Sequence, residues 1–259
     1  MLKPLEIDVK QFGVAEQHQA TVELNVRRGL PEFVPALVSH DGPLIVVGSG
    51  PSLPTFVEEI KEQRGKGRPI LAVKGAHDFL CENGIEPDLF VSIEPRDRRH
   101  NVRKKNQHTV YLLASRVAPE MFDYLSDCKV MIWHSYSHEG EMETVKKYAR
   151  VAVGGGSTSG LRAIALGWFM GFRNFILYGF DCCVNENGHK RFNDERPVPT
   201  VPPIWVDGKK FICNAAMAAQ LNEFQKATYG WLSDIHFECR GDGALAALLE
   251  GRRKAGMQV

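Results

Sequence analysis

The sequence predicts an α/β fold, a doubly wound and mostly parallel sheet with helices on both faces. Three observations predict it. Short runs rich in Val, Ile and Leu recur from Leu44 onward, as strands buried on both faces do. Helical spacers separate them, the alternation that parallel sheets require. Two of the runs break into glycine turns that open helices, Gly48-Ser-Gly-Pro-Ser52 and Gly154-Gly-Gly-Ser-Thr-Ser-Gly160. With 259 residues the chain can bury one sizeable core or two small ones. Residues 1–41 read as an N-terminal helical extension. Residues 42–259 read as a single Rossmann-like domain with a lid-like segment at 186–212 and a C-terminal helix.

In the extension, Val22, Leu24, Val26, Leu30, Phe33, Val34 and Leu37 are spaced for helical packing. The first strand starts at Leu44 and runs into its glycine turn. There Pro51 suits a first helical turn and Ser49 or Ser52 a cap, with the helix continuing to about Gln63. Pro69 to Val73 is the second strand, and Ala76 to Glu82 a short helix stopped by Asn83-Gly84. The strand Leu89 to Ile93 follows Pro87-Asp88 and ends at Glu94-Pro95. Further strands are expected at Thr109 to Ala114, Lys129 to Trp133, Val151 to Val153 and Asn174 to Tyr178. Prolines between Arg196 and Pro203 exclude a helix, and Ile204 to Ile212 predicts a hairpin around Asp207-Gly208. A long helix at Asn214 to Leu232, a strand at Ile235 to Cys239 and a short helix close the chain.

The net charge of +1 argues against a surface that coats nucleic acid. The longest apolar run, Ala163 to Phe172, is about half the ~20 residues of a membrane span. The start of the chain has no continuous apolar core, so a secretory signal is not expected and the setting is read as cytoplasmic. The six cysteines form no C-x-x-C pair, which disfavours a structural zinc or a disulfide framework.

In such a sheet, ligands sit beyond the carboxyl ends of the strands. The residues there are Gly48, Ser49, Gly50, Pro51 and Ser52, then Lys74, Glu94, and Gly155, Gly156, Ser157, Thr158, Ser159 and Gly160, then Asp181. Helix starts with outward amides favour anions, so a phosphate-bearing nucleotide is expected on them. Glu94 and Asp181 could hold Mg²⁺ between nucleotide oxygens, or cap loops, or bind a ribose. The basic run from Arg96 to Lys105 is either a solvated face or, through Arg96, Arg98 and Arg99, a site for a substrate phosphate or acid. No interleaved aromatics support nucleic acid. His189 is a candidate general base or acid, with Asp181 as its catalytic companion, or else a surface histidine. His134 and His138, with Glu139 and Glu141 nearby, have helical metal-ligand spacing, but a strand at His134 spoils that geometry.

Gly-Ser-Gly-Pro-Ser-Leu at 48–53, Pro87-Asp88 before a strand ending in an acid, Gly-Gly-Ser-Thr-Ser-Gly at 155–160 and Tyr-Gly-Phe-Asp at 178–181 together resemble one superfamily. It contains the 6-hydroxymethylpterin diphosphokinase-like proteins, the motility accessory factors of flagellar glycosylation and, more distantly, bacterial α-2,3/2,8-sialyltransferases. The resemblance covers roughly Leu44 to His189. For the diphosphokinases it implies pyrophosphate transfer from ATP with Mg²⁺, the glycine turns holding the triphosphate and Glu94 or Asp181 the metal. For the sialyltransferases it implies metal-independent transfer from a CMP-sugar, with a later histidine, here His189, as base. The acid closing the third strand is more often aspartate in the superfamily, and here it is Glu94. A dinucleotide-binding dehydrogenase fits less well, because Leu53 stands at the sixth position of G-x-G-x-x-G and Lys74 where a ribose-binding acid belongs. A non-catalytic interaction module is the remaining alternative. The expected partners are a small-molecule nucleotide and an acceptor for which the chain carries no recognisable code.

Overall fold

A computed structural model of the chain describes residues 15–36, 38–136, 143, 145–149, 151–230 and 232–257. Eight strands form the main sheet: β1 (Leu44–Val47), β2 (Ile70–Val73), β3 (Leu89–Ser92), β4 (Val110–Ala114), β5 (Lys129–Ser135), β6 (Ala152–Val153), β7 (Asn174–Tyr178) and β10 (His236–Cys239). The remaining two, β8 (Ile204–Val206) and β9 (Lys209–Phe211), make a separate antiparallel hairpin. The order across the main sheet is β10-β7-β1-β2-β3-β4-β5-β6, and every pair is parallel. From β1 the chain walks outward to β6, then returns to β7 on the other side of β1. The loops leaving β1 and β7 therefore diverge, and a crevice opens between them.

Alternation along each strand sends side chains to two cores. Leu44, Val46, Leu71 and Val73 belong to one, and Ile45, Val47, Ile70 and Ala72 to the other. Helices bounded among the described residues are α1 (Ala15–Val26), α2 (Val57–Gly65), α3 (Ala76–Glu82), α4 (Pro119–Tyr124), α5 (Ser159–Phe169), α6 (Ala215–Tyr229) and α7 (Ala244–Lys254). Helix α5 is buried from Leu161 to Gly167 and lies across β1, β2 and β3. Although it follows β6 at the far edge, its start is thereby carried back to the crevice.

The structure corrects the expected extension. Among its described residues only α1 is helical; Gly29, Pro31 and Pro35 follow it, and the chain then runs beside β5. There Phe33 N–H donates to the Ile132 carbonyl at 2.8 Å, and Ile132 N–H to Pro31 at 2.9 Å. Leu24 and Val34, assigned above to a packed face, are 50% and 60% exposed. Leu37 lies outside the described residues. The helix expected directly after Pro51 is a 3₁₀ turn at Leu53–Phe56, with Pro54 in its first turn, and α2 starts only at Val57. Neither serine caps it: Ser52 makes no side-chain cap, and Ser49 Oγ donates to the Val73 carbonyl at 3.2 Å. The hairpin turns at Asp207 (φ 48°) and Gly208 (φ 74°), the paired left-handed conformation of a two-residue turn.

Candidate functional site

The crevice holds a cavity of about 200 Å³. Gly48, Ser49 and Gly50 after β1, Lys74 after β2, and Gly179 to Cys182 after β7 form its floor. Thr158, Ser159 and Gly160 at the start of α5 make one wall. Lys190 and Arg191, from the expected lid, and Asn214, Met217 and Gln220 of the α6 start close it over. That loop is tied down where Phe192 N–H donates to the Ser49 carbonyl at 3.2 Å.

The glycines of the first turn have a structural task besides lining the cavity. Gly50 N–H donates to the Gly179 carbonyl at 2.9 Å, so this amide is spent within the protein. A Cβ on Gly50 would overlap Asp181 Oδ2 and lie 2.6 Å from Gly179 O. The absence of a side chain thus lets two loops touch, while Gly50 still lines the cavity floor. Ser52 N–H is also taken, by Asp181 Oδ2 at 3.3 Å. Neither Pro51 nor Ser52 lines the cavity.

The second turn divides. Gly155 and Gly156 are left-handed (φ 101° and 103°), and Ser157 gives both its N–H and its hydroxyl to Glu223 of α6, each at 2.9 Å. Ser157 is thereby held to α6, and none of the three lines the cavity. Thr158, Ser159 and Gly160 do reach it. Thr158 caps α5 by accepting from Leu161 N–H at 3.3 Å. Ser159 is 1% exposed, and its hydroxyl has no partner among the described residues. An α-helix start leaves its first amides without intrahelical partners, so this wall presents donors and the positive dipole end.

Charge adds to that wall. Lys74 is held at φ 55° and Cys182 at φ 53°, left-handed positions that L-residues adopt at a cost and that cluster at binding sites. Burial, then Arg191, pushes the Lys74 amine down to about 8, with Lys190 and Arg98 adding to the effect and Glu94 opposing it. Lys190 is lowered too, by burial and by Arg191. Asp181, 6% exposed, has its carboxyl raised above the ordinary range by burial, against the pull of Ser52.

The other predicted residues lie outside the cavity lining. Glu94 is clasped by the Arg96 guanidinium through two bonds of 2.7 and 3.0 Å. Arg99 is held in the same way by Asp97. The run is a 3₁₀ turn at Arg99–Asn101, anchored where buried Asp78 accepts Arg103 N–H at 2.9 Å and Lys104 N–H at 3.1 Å. His189 precedes Lys190 on the loop, its N–H bound to Asn185 Oδ1 at 2.9 Å. His134, in β5, faces Ser115 Oγ at 3.1 Å, while His138, Glu139 and Glu141 lie outside the described residues. Among the described residues no three metal-ligating side chains converge. Of the two carboxylates expected to hold Mg²⁺, Asp181 is the one in the cavity; one carboxylate with phosphate oxygens is a set that Mg²⁺ accepts. Sequence reasoning missed Lys190, Arg191, Asn214, Met217 and Gln220, although an asparagine opening a long helix after a loop was a visible cap signal for Asn214.

A family model described as 6-hydroxymethylpterin diphosphokinase MptE-like matches residues 20–187. The chain belongs to the MptE-like family. The match runs from α1 to just past β7, so it contains both glycine turns, Lys74 and Asp181, whereas Lys190, Arg191 and α6 lie beyond it. No curated protein matches the chain. Among solved structures, the MAf glycosyltransferase from Magnetospirillum magneticum AMB-1 is similar in fold, with a TM-score of 0.69 at 13% identity. That similarity covers 96% of this MptE-like chain and 43% of the glycosyltransferase chain. A mammalian sialyltransferase aligns at a TM-score of 0.46 and 11% identity, over 85% of this chain and 79% of that one. The sialyltransferase CstII from Campylobacter jejuni, in complex with the substrate analogue cytidine-5'-monophosphate, aligns at 0.34 and 15%, over 81% and 84%.

Proposed function

We propose that the chain is a nucleotide-dependent transferase that binds nucleotide phosphate in the β1/β7 crevice. The observation that supports it is the meeting of the α5 start with Lys74, Lys190 and Arg191 in one cavity. A helix start and three cations meet polyanionic phosphate in the charge-assisted way. The leading reaction is diphosphokinase-like, pyrophosphoryl transfer from ATP to an acceptor hydroxyl. Mg²⁺ held by Asp181 and phosphate oxygens would neutralise charge on the transferred group. The chain's own contribution is positioning and fixed charge: Thr158 to Gly160 orient the phosphates, and Lys74, Lys190 and Arg191 stabilise the charge that develops on the leaving oxygen. His189, next to Lys190, is our candidate for taking the acceptor's proton.

A second reading, sugar transfer from a CMP-sugar, is favoured by the cations themselves. Lysine and arginine alone can carry a leaving phosphate, and Glu94, the other proposed metal ligand, is committed to Arg96. No helix among the described residues is long and apolar enough to cross a membrane, and a cytoplasmic setting is part of this proposal. Product analysis separates the two. Incubation with ATP, Mg²⁺ and 6-hydroxymethylpterin should yield AMP on the first reading; incubation with CMP-sialic acid should release CMP on the second. Absence of both products over a full turnover assay would remove the transferase reading.

A further inference from the structure

The cavity lining is chemically divided. Its cations, Lys74, Lys190 and Arg191, come from the β2 end and the loop after β7, whereas the α6 start contributes only uncharged side chains, Asn214, Ala216, Met217 and Gln220. Two of these are carboxamides, and they are not equivalent. Asn214 uses its oxygen for the helix cap, accepting Met217 N–H at 2.9 Å. Gln220 follows Met217 by three residues, so the two are neighbours on one side of α6. Its half-buried carboxamide makes no hydrogen bond among the described residues. The Nε2 atom lies 3.4 Å from the place a Cβ on Gly160 would occupy, which sets this free amide beside the first turn of α5.

Phosphate oxygens make their strongest bonds with cations and helix-start amides, which other parts of the lining supply. A carboxamide brings no charge. It offers an acceptor oxygen and two donor hydrogens, the complement of a hydroxyl, which both donates and accepts. In a nucleotide the ribose is joined directly to the phosphate, so a phosphate on the α5 amides carries its sugar hydroxyls to the surroundings of that helix start, where Gln220 stands. We propose that Gln220 binds a hydroxyl of the nucleotide's ribose and makes the crevice selective for ribonucleotides over deoxyribonucleotides. The inference rests on the nucleotide-binding reading and deepens it. It holds for ATP and for a CMP-sugar alike, because both carry the same sugar. Met217, beside Gln220, adds a polarisable thioether for the apolar face of the nucleoside. A ligand that lacks the hydroxyl would cover the amide and leave it unpaired, which is how a polar site rejects an analogue missing one group.

Calorimetry tests this with AMP or CMP, whichever the parent binds, with the 2′-deoxy and 3′-deoxy forms of the same nucleotide, and with inorganic pyrophosphate as a probe that has no sugar. We expect the parent to bind the ribonucleotide about tenfold or more tightly than at least one deoxy form. Gln220→Leu should bring the ribonucleotide down to the affinity of that deoxy form. The same variant should keep its affinity for the deoxy form and for pyrophosphate within about twofold of the parent, which also shows that it is folded. Gln220→Ala, which adds no bulk, should behave alike. Equal binding of the ribonucleotide and both deoxy forms by the parent would overturn the proposal, and so would a selectivity that survives both substitutions. A loss of pyrophosphate affinity as large as that of the ribonucleotide, in variants that melt like the parent, would place Gln220 on the phosphates and overturn it too. Uptake of pyrophosphate without uptake of either nucleotide overturns the ribose assignment and leaves an anion site standing. If the parent binds none of these ligands, the nucleotide-binding reading itself fails and the ribose assignment goes with it.

Discussion

Lys74 is the residue at which binding and stability should oppose each other. Its amine is lowered from 10.5 to about 8, chiefly by burial and by Arg191. Such a shift corresponds to about 3 kcal/mol against the charged form. Residual solvent contact of this half-buried side chain screens the cost to about 2 kcal/mol. The sign is fixed by linkage. Between pH 8 and 10.5 the unfolded lysine holds its proton and the folded one releases it, so stability rises with pH across that window; below pH 8 the full cost is present. Lys74→Met removes the charge and should raise the unfolding free energy at pH 7 by about 1–2 kcal/mol, measured by urea denaturation. The gain should shrink as pH climbs toward 10. The same variant should bind nucleotide about tenfold or more weakly. A variant less stable than the parent at pH 7, or one with unchanged nucleotide affinity, would refute the reasoning.

Other perturbations separate structural from functional residues. Gly50→Val should lower stability by more than about 2 kcal/mol in a thermal or urea melt, because its side chain overlaps Asp181 and the Gly179 carbonyl; a well-folded variant would contradict the interlocked loops. Thr158→Ala should cost about 1 kcal/mol through loss of the α5 cap, with a matching fall in nucleotide affinity. His189→Ala should lower turnover of the active nucleotide while nucleotide affinity, read by calorimetry, stays put; unchanged turnover makes it a surface histidine.

The sheet was legible because strands such as Leu44–Val47 and Asn174–Tyr178 are apolar throughout or after their first residue, as strands of a parallel sheet covered on both faces are. The α5 wall was legible for a local reason as well: Thr158 follows glycines and precedes a helical run, so its capping role is written in adjacent residues. What the sequence could not reveal was contact between distant segments. Gly50 reads like a phosphate-binding glycine, and nothing near it in the sequence shows that Gly179, far along the chain, accepts its amide. Ser157 reads like a ligand donor until Glu223 takes it. In the basic run, local pairing decided which arginines were committed: Glu94 and Asp97 claim Arg96 and Arg99, while Arg98 makes no ion pair among the described residues. Lys190 and Arg191 reach the cavity only because their loop folds back onto Ser49, a contact with no sequence pattern.

The claim on which the account depends is that the β1/β7 crevice binds nucleotide phosphate. Isothermal titration of ATP and of CMP, each with and without Mg²⁺, into the parent protein and into a Lys190→Ala/Arg191→Ala double variant tests it most directly. We expect saturable, roughly one-to-one binding of at least one nucleotide to the parent and a loss of about tenfold or more in the variant. Binding of neither nucleotide, or equal binding by the parent and the double variant, would contradict it.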